Sequence, residues 1–210
     1  MVTITLILIN VLVFLYMIGL GEEGADAFTQ QFAMHSRDFT SNIPLTHHAI
    51  TSVFTAMFLH ASWMHLLGNM LYLWIFGDNI EDSMGPVRFI IFYLLCGVLA
   101  AVAQIASAPH LEMTMLGASG AIAGVLGAYL VRFPKAQVDT CLFIIIFFTT
   151  VRLPAILVLG FWFVLQLFNG TNNTGSGGGV AYWAHIGGFV AGMILIYIFA
   201  KKNQSELNGY

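Results

Sequence analysis

Between Val2 and Leu20 the chain carries no charged residue, and apolar runs of similar length recur from Val53 to the C-terminal lysines. Each run approaches the ~20 residues that a helix needs to span a ~30 Å hydrocarbon core. Lipid offers no water to satisfy backbone polar groups, so such runs must be helical. Across 210 residues, 59% are hydrophobic and only 8% are charged, which excludes an ordinary soluble domain. The expected fold class is all-α, a polytopic membrane protein with six transmembrane helices. A net charge of −3 offers no basic surface for nucleic acid. Cys96 and Cys141 both fall in apolar runs and read as packing residues, with no disulfide framework or cysteine-based zinc site.

The breaks between the runs predict one membrane domain over residues 1–210. The first helix covers about 2–20; no basic residue precedes it, so it reads as a span and not as a cleaved signal peptide. Residues 21–61 are polar and interrupted, with Glu22, Glu23, Asp26, Arg37, Asp38 and Pro44. They read as a long external loop with short interfacial helices, and a loop of that length is usually functional or disordered. The second helix is expected at 62–78, the third at 87–107 and the fourth at 117–133. Arg152 and Pro154 divide the next apolar stretch. Arginine is costly at the bilayer centre, so it is placed at an interface. The fifth helix then runs over about 153–168, and Leu142–Phe148 becomes interfacial or folded back. A Gly/Asn/Thr/Ser-rich loop over 169–180 precedes the sixth helix at 181–200, which Lys201 and Lys202 stop.

Six helices put both termini on one side. Assigning that side to the cytoplasm places Arg88, Arg132, Lys135, Arg152, Lys201 and Lys202 inside and leaves only Arg37 outside, as the positive-inside rule demands. The lack of extensions suits a prokaryotic plasma membrane, and the Lys/Arg-poor N-terminal stretch gives no sign of an added soluble domain.

In this topology helices 2, 4 and 6 all run inward, and each begins beside a residue that can do chemistry. At ~1.5 Å per residue, Ser119 lies roughly 20 Å from Arg132, His65 roughly 20 Å from Asp78, and His185 about 24 Å from Lys201. Against a ~30 Å core, all three sit at a similar depth below the outer surface. Polar groups inside a membrane are costly unless paired or wetted, so a shared depth points to a site. Ser119 and His185 can form a nucleophile and its base. His65 and Asn69, spaced i,i+4, share one face of helix 2. Both can donate hydrogen bonds to an oxyanion, together with the Ser119 amide at its helix start. No Asp or Glu lies near the depth of His185, so a dyad is expected in place of a triad.

Each residue also has a plainer reading. A lone membrane serine usually makes an interhelical hydrogen bond, and Asn69 could do the same. Gly120/Gly124 and Gly188/Gly192 are at Gly-x-x-x-Gly spacing and read as packing residues. That reading supports the functional one, because close approach of helices 4 and 6 brings Ser119 to His185. No metal or other cofactor is expected: His47-His48 lies in a loop, and His60 and His65 are poorly spaced for one helical face. A small transporter or channel is the rival from another class. It needs polar residues across the whole depth, whereas the inner halves of helices 2, 4 and 6 are apolar.

With these residues assembled, the chain resembles the rhomboid family of intramembrane serine proteases from Val2 to about Lys201. The matching motifs are His60-Ala-Ser-Trp-Met-His65-Leu-Leu-Gly-Asn69, Gly117-Ala-Ser119-Gly120 and Ala184-His185-Ile-Gly-Gly188-Phe-Val-Ala-Gly192. The resemblance implies a protease acting in the lipid bilayer on transmembrane protein substrates. Ser119 matches its nucleophile and His185 its base. His65 and Asn69 match its oxyanion-stabilising side chains, with Gly117 in the turn before the serine. Helix 5 and the loop Asn169–Gly179 match its substrate gate and cap, and Gly77–Asp82 matches a structural segment at the cytoplasmic end. An inactive, binding-only relative is the remaining alternative, against which the complete Ser/His set argues. Two departures stand out. Ile50–Leu59 lacks the Trp-Arg pair of some relatives, and Ala123 stands where some carry a Tyr that packs on the base. Tyr182 and Trp183 are then the sequence's candidates for positioning His185.

Overall fold

A computed structural model describes residues 1–41, 44–109, 112–144, 147–172 and 179–201. Helix α1 (Val2–Gly19) is followed by α2 (Gly21–Phe32) and the short α3 (Arg37–Thr40). Then come α4 (His47–Thr55), which ends in a 3-10 turn at Ala56–Phe58, and α5 (Trp63–Met84). Beyond α6 (Pro86–Ser107) lie α7 (Ser119–Arg132), α8 (Ala155–Asn172) and α9 (Tyr182–Phe199). Four of these, α1, α6, α8 and α9, are long and apolar enough to cross a membrane. The unit of α4 with its 3-10 turn also passes together with α5, the two being bent by 80°. The chain is a multi-pass helical membrane protein.

Helix α7 is central and short. Every residue from Ala121 to Tyr129 is buried, against α5, α6, α8 and α9. At ~1.5 Å per residue its 14 residues span about 21 Å, less than a ~30 Å core. Its approach to α9 depends on absent side chains. A Cβ at Gly188 would lie 2.1 Å from the Gly120 carbonyl oxygen, and one at Gly192 only 1.8 Å from that of Gly124. On the other flank, a Cβ at Gly124 would meet the Cys96 Cβ of α6 at 2.4 Å. The helices touch backbone to backbone, as small-residue membrane interfaces do.

Helix α5 runs past the expected stop at 78 to Met84. The acidic turn does not end it, because Glu81 points inward and is only 3% exposed. The Glu81 carboxylate accepts from the amides of Val2 and Thr3, each at 2.7 Å, and from the Thr3 hydroxyl at 2.8 Å. It also faces the Met1 ammonium. It therefore satisfies donors that α1 cannot pair internally, and its charge suits a helix N-terminus. The break comes at Gly85, whose φ of 88° few other residues adopt, and Pro86 then opens α6.

Among the described residues, two small antiparallel sheets accompany the helices. β1 (Met34–His35) pairs with β2 (Thr114–Met115), in register Met34 to Met115. β3 (Gln137–Ile144) pairs with β4 (Phe147–Pro154), joining α7 to α8. This hairpin is the form taken by the stretch expected to be interfacial or folded back at Leu142–Phe148, of which residues 145–146 lie outside the described residues. Asp139 faces Arg152 across it, Oδ1 to Nε at 3.0 Å. Helix α8 begins at Ala155 and continues past the expected end at 168 to Asn172. Thr171 and Asn172 side chains donate back to the Leu167 and Phe168 carbonyls at 2.9 and 2.6 Å, supporting that extra turn. Of the expected cap loop, residues 173–178 lie outside the described residues, as does Lys202.

Candidate active site

The segment that delivers Ser119 is fastened before α7 begins. β2 is stapled to β1, Ser36 N–H donates to the Met113 carbonyl at 3.0 Å, and the Gly117 amide donates to the Ala56 carbonyl at 2.8 Å. The long segment between α1 and α5 thus holds the turn that leads into the serine. Gly117 has φ 113°, and a Cβ there would lie 2.6 Å from His65 Nε2. Only glycine fits both the backbone conformation and the imidazole packed on it. Ser119 is then the first residue of α7, where backbone amides have no partner one turn back.

His65 enters from α5. The Ser62 hydroxyl caps that helix, accepting from the His65 amide at 3.2 Å. The His60 ring meets the His65 ring edge to face, with centroids 5.0 Å apart. One turn on, Asn69 is buried and its Nδ2 donates to the His65 carbonyl at 2.8 Å. One N–H of the amide remains for another acceptor.

His185 stands in the first turns of α9, with its Nε2 2.8 Å from Ser119 Oγ. Its Nδ1 lies 2.8 Å from Oε1 of Gln166 on α8, and the Trp162 ring packs on it with centroids 5.8 Å apart and planes at 35°. The rings expected to position it do not. Tyr182 and Trp183 lie instead beside Gly170, near the end of α8. Upstream of His185, Gln104 of α6 accepts from the Ala184 amide at 3.1 Å, tying α9 to α6.

The Ser119–His185 pair forms a wall shared by two cavities. The larger, about 640 Å³, runs under the segment between α1 and α5 and is lined by Met57, Met64, His65, Gly117 and Ala181 besides the pair. The smaller, about 220 Å³, lies between α5 and α8 and is lined by Asn69, Tyr72, Ala123 and Trp162 besides the pair. Ser119, His185 and His65 therefore meet in both cavities, and Asn69 faces the smaller one. A hydroxyl beside an imidazole nitrogen, with hydrogen-bond donors and open space around it, can support nucleophilic attack on a carbonyl. Among the described residues, no group of three or more His, Cys, Asp or Glu side chains could hold a metal ion.

Sequence reasoning missed Gln166 and Trp162. They lie 19 and more residues before His185 in an apolar run, and no spacing rule links them to it. The available signal was the single amide side chain between Ala155 and Phe168.

The family model described as "Rhomboid domain" matches residues 47–202. Rhomboid-like protein 11, chloroplastic, of Arabidopsis thaliana is 24% identical over 95% of this chain and 69% of its own length. Rhomboid protease GluP of Bacillus subtilis is 34% identical over 67% of this chain, and the match spans 25% of that protein. Putative rhomboid protease YdcA of Bacillus subtilis is 36% identical over 36% of this chain and 38% of its own length.

Proposed function

The chain belongs to the rhomboid family, and from that membership we propose that it is an intramembrane serine endopeptidase using a Ser119–His185 dyad. Its substrates are transmembrane segments of other proteins, cut at peptide bonds in or near the bilayer. The observation that carries the reading is the 2.8 Å contact between Ser119 Oγ and His185 Nε2 at the wall of two cavities.

His185 takes the hydroxyl proton as Ser119 Oγ attacks the scissile carbonyl carbon. The oxyanion that forms is stabilised by the Ser119 amide, the free N–H of Asn69 and the ring of His65, which Gly117 lets approach. Collapse breaks the C–N bond, and His185 gives its proton to the leaving amine. Water then enters from the larger cavity, loses a proton to His185 and hydrolyses the acyl-enzyme, returning the proton to Ser119. A helical substrate hides its carbonyls in internal hydrogen bonds, so cleavage requires local unwinding. Small or helix-breaking residues at the cleavage point favour it.

The proposed topology has six spans, with both termini in the cytoplasm and the site opening toward the outer face. Two tests address the chemistry. The purified protein cleaves a transmembrane substrate in detergent or liposomes, and Ser119→Ala and His185→Ala do not. A fluorophosphonate labels the protein and neither variant. Equal cleavage by the protein and Ser119→Ala overturns the reading.

A further inference from the structure

Building on the protease reading, we propose that Gln166 is the positioning residue for His185, holding the imidazole proton on Nδ1 so that the Nε2 lone pair faces Ser119. Helix α8 is apolar from Ala155 to Phe168 except for this one amide. Gln166 does not turn toward lipid; it is only 8% exposed and its Oε1 reaches His185 Nδ1 at 2.8 Å. Its Nε2 has a weaker partner, the Trp162 carbonyl of its own helix at 3.5 Å. That contact orients the amide with its oxygen toward the imidazole.

The direction of the hydrogen bonds follows. A carbonyl oxygen only accepts, so Nδ1 must donate to it. A neutral imidazole has a single N–H, so Nε2 is left as the acceptor, and the hydroxyl 2.8 Å away donates to it. Reversing the amide reverses the chain: Nε2 then carries the proton and the serine has no base. Neither α8 nor α9 contains an Asp or Glu, so an uncharged amide takes the position that a carboxylate holds in a triad.

Two further contacts keep the amide in place. The Trp162 ring, one turn before Gln166, covers the imidazole. Below it, Phe163 stacks on Phe189 with centroids 4.6 Å apart, fixing α8 against α9 in this register. The base is thus set by a helix other than its own, so its orientation depends on α8 staying docked.

The experiment pairs Gln166→Leu, which removes the acceptor at similar volume, with Gln166→Glu, which keeps an acceptor oxygen. For Gln166→Leu, kcat on a transmembrane substrate falls about 100-fold, the low end of what a positioned general base supplies, while KM stays within about twofold. Gln166→Glu recovers most of that loss. In nitrogen NMR of the unaltered protein, labelled at histidine, the His185 signal reports the Nδ1–H tautomer, and in Gln166→Leu it does not. Unchanged kcat in a folded Gln166→Leu variant, Gln166→Glu no better than Gln166→Leu, or an Nε2–H tautomer in the unaltered protein each overturns the proposal. The tautomer measurement stands even if the leucine variant fails to fold. If the unaltered protein cleaves nothing and resists fluorophosphonate, the protease reading fails, and the tautomer alone decides the role of Gln166.

Discussion

Three other helices supply the side chains grouped around Ser119, and one exacting contact beside it involves a residue with no side chain. At Gly117 a Cβ would stand 2.6 Å from His65 Nε2 on a backbone at φ 113°. Gly117→Ala must therefore push the imidazole away or rotate the turn that presents Ser119. The expected outcome is a fall in cleavage of about 100-fold, comparable to losing one oxyanion donor, with helix content by circular dichroism unchanged. Activity within threefold of the unaltered protein would remove His65 from the oxyanion site. Ser119, His65 and His185 could be singled out from the sequence because each sits near the start of an apolar run closed by a charged residue, where depth can be counted in residues, and Asn69 because it lies i,i+4 from His65. Gln166 and Trp162 could not. They lie on a helix of opposite direction; Arg152 before it is a marker, with Gln166 lying 14 residues on at about 21 Å, but a lone amide in an apolar run has no chemistry of its own to draw the count there.

Among elements, the contact of α7 with α9 sets how near the serine and histidine can come. The Gly-x-x-x-Gly pairs gave this packing from spacing alone, and their geometry is backbone against backbone. Gly192→Ala places a methyl group 1.8 Å from the Gly124 carbonyl and should cost about 1–3 kcal/mol through overpacking. Ser119 and His185 should separate with it, so cleavage falls along with thermal stability. Gly160→Ala on α8 is the control: nothing lies within 4 Å of its Cβ, and an alanine there favours the helix by up to about 1 kcal/mol. Equal melting temperatures for the two variants would show that the α7–α9 contact is looser than described. A second element-level dependence joins α5 to α1. Glu81→Ala strands the buried amide of Thr3 and the half-buried amide of Val2 and should destabilise the fold by about 1–3 kcal/mol. Thermal unfolding in detergent measures it. The charge of Glu81 was visible in the sequence, but its inward turn was not, since an acidic residue near the end of an apolar run reads equally well as a helix stop.

For the whole molecule, the arrangement of charge argues for one orientation. Arg88 donates to the Phe199 carbonyl at 3.4 Å, and the Lys201 amide to the Ser83 carbonyl at 2.9 Å, so the α5–α6 turn and the end of α9 lie together. The β3–β4 hairpin follows α7 at the helix end opposite Ser119, with the Ala155 amide donating to the Ala136 carbonyl at 2.8 Å at its base. The cations Arg88, Arg132, Lys135, Arg152 and Lys201 belong to these elements, and Arg37 to the loop over the site. If the cationic end faces the cytoplasm, so does the hairpin, and the chain carries its own reporter there. Cys141 is an exposed cysteine on β3, opposite Thr150, whereas Cys96 is buried within the helical core. A membrane-impermeant maleimide should therefore modify Cys141 in inverted membrane vesicles and leave right-side-out vesicles unlabelled. Cys96 should react only after the protein is denatured, which raises the label from one to two per chain. Labelling of Cys141 from the outer side would invert the topology and turn the cavities beside Ser119 toward the cytoplasm, while loss of that label in Cys141→Ser confirms the residue being read.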